Sequence, residues 1–473
     1  MRSSVLWRIL GSQALSSLGT SMTAVAMAWM VLDITGSVLH FGAILAVTSF
    51  PLVVTSWFGG AVLDRFNAKY VMIVSDAARA VLICLMPLVA TRAVWSIYAI
   101  AGLIGVFSAA FNPGQIKLVG ELAGPGQLVK MNSYLSISRD GAELVGYMVG
   151  GVLVAAVGYA PAFFSNGGSY ILSAVFLLGL PRGMASTAGE PPRLAKLIWE
   201  SPAVFGRLWK TPSLRTNLAM AVLPLMFVMM SSPNSVGLIK VVFGRGPTTL
   251  AVMEVAMSCG LIVGGLIISR MTLRGDKNRY VFGAFLAAGA CMVGIGFSNH
   301  LWLSILLLGI GGVVNVGMFV PAITMFQEAA DKEGKGRLIS LRAGFGQAGA
   351  AAGFLVGGVL GEYLGIKNLF LLAGLASAAF AALIYLPYAY SRNRRAHAAW
   401  SAAMAGGATR ISARKTAYEA ALGGADHGWA AALEGSREIP EADVDDEVRK
   451  RRSRRTRGDR VRSRMMVEGH EAD

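Results

Sequence analysis

Residues 60–69 read Gly60-Ala61-Val62-Leu63-Asp64-Arg65-Phe66-Asn67-Ala68-Lys69 and join two long apolar stretches of the chain. Charged side chains held between membrane helices are costly, so such a segment indicates a function. The glycine allows two helices to approach closely, Asp64 can act on a helix end or an arginine, and the two bases mark a cytoplasmic side. We therefore predict a conformational gate made of Gly60, Asp64, Arg65 and Lys69. A solvated turn is the alternative.

The composition of the chain is that of a polytopic membrane protein. Hydrophobic residues make up 54% of the 473 residues, and the mean hydropathy is +0.56, which is too apolar for a soluble protein. Apolar windows of about twenty residues predict an all-α protein with twelve transmembrane helices. These lie near 9–32, 38–62, 71–91, 94–117, 132–157, 161–180, 214–237, 247–269, 280–298, 301–324, 338–362 and 367–389.

The net charge of +16 is explained by membrane orientation, because the bases concentrate in alternate loops and in the C-terminal part of the chain. This pattern predicts a multi-pass protein of the cell inner (plasma) membrane with both termini in the cytoplasm. Nucleic acid is not an expected partner. Cys84, Cys259 and Cys291 lie in apolar spans without paired spacing, so no metal and no cofactor is predicted. No catalytic arrangement or phosphate-binding loop is visible, and the chain is not expected to be an enzyme.

A change in composition divides the chain into four parts. We predict an N-terminal six-helix bundle at 1–181, a cytoplasmic linker at 182–213, a C-terminal six-helix bundle at 214–390 and a disordered tail of mixed charge at 391–473. The basic linker and tail predict contact with anionic lipids at the inner leaflet.

The two bundles show a weak internal repeat. The segment 146–151, Gly-Tyr-Met-Val-Gly-Gly, recurs at 353–358 as Gly-Phe-Leu-Val-Gly-Gly, and Gly158 recurs at the same offset as Gly365. Small residues at this spacing form grooves in which neighbouring helices pack. The repeat predicts two parallel six-helix halves around a central cavity. The predicted helix-packing residues are Gly146, Gly150, Gly151, Gly353, Gly357 and Gly358.

Several motifs together resemble the efflux branch of the major facilitator superfamily, which includes macrolide, siderophore and multidrug exporters and lysophospholipid transporters. The resemblance rests on segment 28–37, on Ser75-Asp76 with Arg79-Ala80, on Phe111-Asn112-Pro113, on Gly336-Arg337 and on the gate segment, where Asn67 replaces a glycine of the signature. It implies alternating access, with Asp64 against the start of the eleventh helix in the outward-facing state. The segment 146–151 resembles the antiporter motif, except that Tyr147 replaces its proline.

The strongest ionic cluster in a predicted span is Arg139, Asp140 and Glu143. Arg139 and Glu143 are spaced to pair on one helix face, whereas Asp140 points elsewhere and is free to meet another helix. Glu254 stands in the eighth span with no base within one turn. Because carboxylates inside a membrane commonly serve as proton sites, these residues predict proton coupling. The alternatives are a static ion pair at Arg139 and a structural role for Glu254.

Apolar, aromatic and amide side chains near the middle of several spans suit a lipophilic substrate. The predicted substrate cavity contains Trp57, Phe107, Asn112, Met229 and Asn315. The sequence thus favours a monomeric secondary active transporter that exports a lipophilic drug or small metabolite by proton antiport. A lysophospholipid or lipid-like metabolite transporter without proton coupling is the first alternative. A nontransporting membrane scaffold or sensor is the second.

Overall fold

The fold consists of long helices joined by short turns. A computed structural model describes residues 3–63, 67–90, 92–122, 128–180, 206, 208–271, 273, 275–329, 335–410, 412–413 and 416–417. The helices are α1 (Ser3–Thr35), α2 (Val38–Leu63), α3 (Ala68–Val89), α4 (Val94–Leu122), α5 (Leu128–Val157), α6 (Ala160–Leu178), α7 (Pro212–Met229), α8 (Ser231–Gly237), α9 (Pro247–Arg270), α10 (Asn278–Phe297), α11 (Leu301–Ala329), α12 (Lys335–Leu364) and α13 (Ile366–Ala405).

Within these ranges, twelve spans are long and apolar enough to cross a membrane. The seventh span comprises α7, α8 and a π-helical turn at Leu238–Val242. The all-α class and the number of spans predicted from the sequence are confirmed. An even number of crossings returns the chain to the side on which it began, so α1 starts and α13 reaches Arg394 at the same end of the bundle. We call this the terminal end and the other, where α1 turns into α2, the far end.

The last helix is longer than the sequence predicts. α13 continues to Ala405, beyond the expected boundary at 389, because residues 391–405 are rich in alanine and arginine, which favour helix. Gly407 follows with a φ of +80°, a conformation that ends the helix. By internal contacts the chain divides into two units, Met1–Arg394 and Arg395–Asp473. Residues 181–205 of the predicted linker region and 418–473 of the predicted tail lie outside the described residues.

The repeated glycines occupy equivalent positions in the two halves. Gly158, between α5 and α6, has a φ of +84°, and its repeat partner Gly365, between α12 and α13, has a φ of +80°. Side chains with a Cβ rarely adopt this left-handed conformation, so glycine is favoured where each helix reverses into the next. The repeat seen in the sequence thus corresponds to a repeat in the backbone.

The glycine grooves pack the fifth helix of each half against the first helix of the same half: α5 packs against α1, and α12 packs against α7. A Cβ atom added at Gly146 would lie 2.4 Å from the Leu18 carbonyl oxygen, and one added at Gly150 would lie 2.8 Å from Met22. In the second half, Gly353 approaches Met226 of α7 and Gly357 approaches Met230, the residue after α7, in the same way, at 2.3 and 2.5 Å. Such distances are too short for any larger residue, so these glycines set the spacing of the helices.

The two halves meet along two helix pairs, α2 with α12 and α5 with α9. Gly358 of α12 lies against Leu39 of α2, with 3.0 Å between an added Cβ and the Leu39 Cα. Gly151 of α5 lies against α9, where an added Cβ would be 2.2 Å from the Ala251 Cβ. The last glycine of each repeat therefore packs between halves, whereas the first two pack within a half.

The apolar side chains form one large cluster shared by both halves and smaller clusters confined to one half. The shared cluster includes Val31 and Val38 from the first half and Met230 and Leu369 from the second, all near the far end. Toward the terminal end, one cluster contains Ile9, Met72, Leu118 and Leu177. Separate clusters of the second half contain Met220, Phe285 and Tyr385, and Leu214, Phe326 and Leu338. Among the described residues, the shared apolar core lies at the far end.

Candidate functional site

The carboxylates predicted to carry protons lie on or beside the α5–α9 interface. Glu143 is one turn before Tyr147 and two turns before Gly151, so all three share the face of α5 on which Gly151 meets α9. Glu254 is half-buried on α9, three residues after Ala251, the contact of Gly151. Because α5 runs toward the far end and α9 runs away from it, Tyr147 and Glu254 come to the same depth.

Tyr147 lies on the same face of α5 as Glu143 and packs against the apolar cluster shared by both halves. Among the described residues, Glu254 forms no ion pair. Sequence reasoning noted Tyr147 only as a departure from a motif. The signal available in the sequence was its position one turn from Glu143.

The pairing within the α5 cluster differs from the prediction. Arg139 lies closest to its neighbour Asp140, at 2.9 Å, and is farther from Glu143, at 3.8 Å. Asp140 is therefore not free to meet another helix. Arg139 reaches the Asp140 carboxylate because the long arginine side chain can bend along the helix surface. All three side chains are at least one-third exposed, so Glu143 is only weakly neutralised by Arg139.

The predicted gate is described only in part. Asp64 and Arg65 lie outside the described residues, and Gly60 lies in α2. Lys69 is buried, and its Nζ donates to the carbonyl oxygens of Leu178 and Leu180, at 3.0 and 2.5 Å. Lys69, predicted as a gate residue that marks the cytoplasmic side, is thus held inside the first half at the terminal end. Its apolar stem is covered by protein, while its charge satisfies carbonyls at the C-terminal end of α6, where a cation is favoured.

The predicted cavity residues whose side chains are described lie on three different helices. The side chains of Trp57 and Asn112 lie outside the described residues, and Phe107 and Asn315 are half-buried on α4 and α11. Met229 packs in the α7–α12 groove, where it lies 2.9 Å from a Cβ added at Gly353. A small void of about 10 Å³, bounded by Asn217, Phe319 and Arg342 among others, has room for about one water molecule.

The far end is held by polar contacts between the halves that the sequence did not predict. Ser37, between α1 and α2, donates a hydrogen bond to Glu362 of α12. Asp33 of α1 forms an ion pair with Lys240, with 2.6 Å between Oδ1 and Nζ, and Lys240 also lies 5.0 Å from the ring centre of Trp29. In the sequence, Glu362, Asp33 and Lys240 stand out only as an acid or a base near the end of an apolar span.

A buried ion pair stabilises the first half. Asp76 and Arg79 of α3 pair with one another, and Asp76 also accepts a hydrogen bond of 2.6 Å from Ser173 of α6. Arg79 lies 4.5 Å from the ring centres of Phe111 and Tyr170. Phe111, part of the motif Phe111-Asn112-Pro113, is therefore buried beneath a guanidinium.

The second half contains a polar network at its terminal end. Asp276 accepts from the backbone N–H of Asn278 at 3.0 Å and pairs with Arg392 at 2.5 Å. The side chain of Asn278 bonds the carbonyl oxygen of Ser213 at 2.9 Å. Burial raises the pKa of the Asp276 carboxyl above its usual value, although Arg392 acts in the opposite direction. The network fixes the start of α10 against α7 and α13.

Comparison with known proteins identifies the family of this helical bundle. The sequence pattern of the Major Facilitator Superfamily matches residues 9–293 and, in an overlapping second match, residues 218–433. The multidrug efflux pump Tap of Mycolicibacterium fortuitum is 25% identical over 371 residues, covering 75% of this chain and 88% of Tap. The lysophospholipid transporter LplT of Yersinia pestis (strain Pestoides F) is 26% identical over 298 residues, covering 58% of this chain and 66% of LplT.

A solved structure supports the same fold. The crystal structure of a bacterial homolog to the human lysosomal transporter Spinster, in an inward-facing and occupied conformation, superposes with a TM-score of 0.61 at 13% identity. The match covers 81% of this chain and 96% of that chain. Since the superfamily pattern extends across all twelve spans and the bundle has the fold of a solved transporter, this chain belongs to the Major Facilitator Superfamily and is a multi-pass membrane transporter, not an enzyme.

Proposed function

We propose that this protein is a secondary active exporter that moves a lipophilic drug or small metabolite by proton antiport with alternating access. The observation that carries the proposal is the placement of Glu143 and Glu254 on opposite halves at the α5–α9 interface. Proton coupling requires a titratable group whose surroundings change when the halves move. A carboxylate at a contact between halves meets that requirement.

The resemblance to Tap favours a lipophilic cargo, since that relative is named as a multidrug efflux pump. In the proposed cycle, the halves separate at the far end to release substrate and take up protons at Glu143 or Glu254. They then close there, and the protons leave at the terminal end. The proposed orientation places both termini in the cytoplasm, which makes the far end external.

The test uses the full chain in liposomes with an imposed pH gradient and ethidium as a fluorescent lipophilic cation. Gradient-driven ethidium transport should fall at least tenfold in Glu143→Gln or Glu254→Gln. Glu328→Gln, which removes an exposed carboxylate within the second half, is the matched control and should retain most activity. Equal activity for the wild type, Asp140→Asn, Glu143→Gln and Glu254→Gln would refute the proton-coupled mechanism.

A lysophospholipid or lipid-like cargo is the second candidate, favoured by the similarity to LplT. Here the substrate would enter sideways from the leaflet and no proton gradient would be needed. A fluorescent lysophosphatidylethanolamine in the same liposomes separates the two. Its movement should continue after the gradient is collapsed if the second candidate is right, whereas ethidium export should stop if the first is right.

A further inference from the structure

Arg342 is a buried cation that pairs with no acid among the described residues. It lies near the start of α12, and only 8% of its surface is exposed. Its one hydrogen bond to a described residue runs from Nε to the side-chain oxygen of Asn217 on α7, at 3.2 Å. A guanidinium carries five N–H donors, so four of them have no acceptor in the described part of the chain. Buried charges are normally paired, which makes this arrangement unusual.

The oxygen of Asn217 is held toward Arg342 by a chain of amides. Asn217 Nδ2 donates to Oδ1 of Asn278 at 3.1 Å, and Asn278 Nδ2 donates to the carbonyl oxygen of Ser213 at 2.9 Å. With its nitrogen engaged in this way, Asn217 presents its oxygen to the guanidinium. All of these partners are neutral. They position Arg342 without compensating its charge.

The first half contains a similar arginine that does have a counter-charge. Phe111 and Phe319 are equivalent in the internal repeat, since each begins a Phe-X-Pro motif in the fourth helix of its half. The guanidinium of Arg79 lies 4.5 Å from the ring centre of Phe111, and that of Arg342 lies 5.9 Å from the ring centre of Phe319. Arg79 is paired with Asp76. Each half therefore holds a guanidinium beside the same ring, but only the first supplies a described carboxylate.

The second-half equivalent of Asp76 is Phe285. Asn67 and Asp276 begin α3 and α10 in the same way, each accepting a hydrogen bond from the backbone N–H two residues further on. Asp76 follows Asn67 by nine residues, and Phe285 follows Asp276 by nine. The glycines of α6 and α13 that pack on α3 and α10 give the same alignment. Phe285 lines the small void together with Arg342, so an apolar ring stands where the first half has its carboxylate.

The helices around the void offer no other acid to the guanidinium. α7 and α10 contain neither Asp nor Glu. Glu328, the one acid of α11, is at the end of that helix and pairs with Lys277. Glu362, the one acid of α12, is at the far end of the molecule. Asp276, just before α10, pairs with Arg392.

We propose that the small void beside Arg342 is an anion site, in which a carboxylate or phosphate oxygen of a ligand takes the part that Asp76 takes in the first half. The void has room for about one water molecule, so it admits one such oxygen. A guanidinium suits both groups, because its planar set of donors matches their oxygens. The ligand is either a small free anion or the acidic head group of an amphiphilic substrate. This inference does not depend on proton antiport.

The test measures the melting temperature of the full chain in detergent, in sodium HEPES buffer in which formate replaces the bulky HEPES anion at constant ionic strength. Formate should raise the melting temperature of the wild type by about 2 °C or more, because a ligand that binds only the folded state stabilises it. Arg342→Gln should show no such rise. Arg270→Gln, which removes an exposed arginine at the end of α9, is the matched control and should respond like the wild type.

A second titration distinguishes the two sources of the anion. Lysophosphatidylglycerol, added below the concentration at which it forms micelles, presents a phosphate on an apolar chain. If a substrate head group is the ligand, this lipid should stabilise the wild type at a far lower concentration than formate, and Arg342→Gln should abolish the effect. If a free anion is the ligand, formate alone should act through Arg342.

An acid built into the wall of the void provides a further check. Val281 is buried and lines the void, so Val281→Asp offers Arg342 a carboxylate and should remove the response to formate. Val281→Asn, of the same size without the charge, should keep that response.

Two results would overturn the anion site. One is a wild type that neither formate nor the lipid stabilises, or that they stabilise as much as Arg342→Gln. The other is a clearly lower melting temperature for Arg342→Gln than for the wild type in HEPES alone, since that would mean the guanidinium already has a counter-charge. Melting temperatures do not involve transport, so either result would leave the proposed function untouched.

Discussion

Ser37 donates a hydrogen bond to Glu362 across the two halves of the transporter, although 325 positions separate them in the chain. The same carboxylate lies 3.4 Å from the backbone nitrogen of Leu39, at the N-terminal end of α2. An anion is favoured at a helix N-terminus by the partial positive charge there. Glu362 is thus held by both a hydroxyl and a helix end, and it closes the far end where α12 meets α2.

Replacing Glu362 by Gln should shift the protein toward states open at the far end. Hydrogen bonds to charged groups contribute about 1.5–3 kcal/mol, which corresponds to a change of roughly 10- to 100-fold in the equilibrium. Pulsed electron paramagnetic resonance between spin labels at Trp95 and Trp302, both exposed at this end, measures the change in distance. Labelling requires replacement of the three native cysteines.

Lys240→Gln provides the comparison. It breaks the more exposed pair with Asp33, and such pairs contribute only about 0.2–1 kcal/mol. We expect a clearly smaller shift than for Glu362→Gln. Identical distance distributions for Glu362→Gln and the wild type would contradict the role assigned to this contact.

The Gly151–Ala251 contact predicts a compensating pair of substitutions. Gly151→Ala places a methyl group in a space where only 2.2 Å separates it from the Ala251 Cβ, so the α5–α9 interface cannot close fully and ethidium transport should drop severalfold. Adding Ala251→Gly removes the opposing methyl group and should restore transport. A double variant as inactive as Gly151→Ala would show that another contact controls this interface.

Two glycines of α5 should respond in opposite directions to the same change. Gly146→Ala forces a Cβ to within 2.4 Å of the Leu18 carbonyl oxygen, and overpacking of this kind costs about 1–3 kcal/mol. Gly141 has open space around its missing Cβ, so Gly141→Ala should stabilise the helix by roughly 0.5–1 kcal/mol. Thermal unfolding of the purified protein in detergent measures both. A lower melting temperature for Gly141→Ala than for Gly146→Ala would be inconsistent with the glycine groove.

The buried Asp76–Arg79 pair should be more damaging to break than to remove. Asp76→Asn leaves a buried guanidinium without its counter-charge, which costs about 3–5 kcal/mol. Replacing both residues at once, as Asp76→Leu with Arg79→Met, should cost less, because no buried charge remains. Melting temperatures of the two variants test this order, and the reverse order would argue against a stabilising ion pair.

Asp276 predicts a pH dependence of stability. Since burial raises the pKa of its carboxyl, the folded protein holds this proton more tightly than the unfolded chain does. Its contribution to the free energy of unfolding is therefore greatest at low pH and is lost as the pH rises through the raised pKa. The melting temperature of the wild type relative to Asp276→Asn should fall as the pH increases from about 4. A constant difference from pH 4 to 8 would contradict the raised pKa.

Much of the fold follows from the sequence because it depends on local properties of the chain. Long apolar runs predict the spans, and the repeated glycines predict the close packing of α5 in the first half and of α12 in the second. The partners of Lys69 do not follow from local pattern. Its charge marks it in the sequence, whereas Leu178 and Leu180, to which it donates, lie more than 100 positions away.

The arrangement of the candidate site could not be predicted from local sequence pattern alone. The sequence alone marked Glu143 and Glu254 as acids in apolar spans, since the cost of a charge in a membrane is a property of each span by itself. Only the tertiary structure decided that Glu254 lies close to Gly151 of α5, beside its contact Ala251, and that Glu362 closes the far end on Ser37. These relationships depend on the register of one helix against another, and that register is set by the packing of whole surfaces such as the Gly151–Ala251 contact.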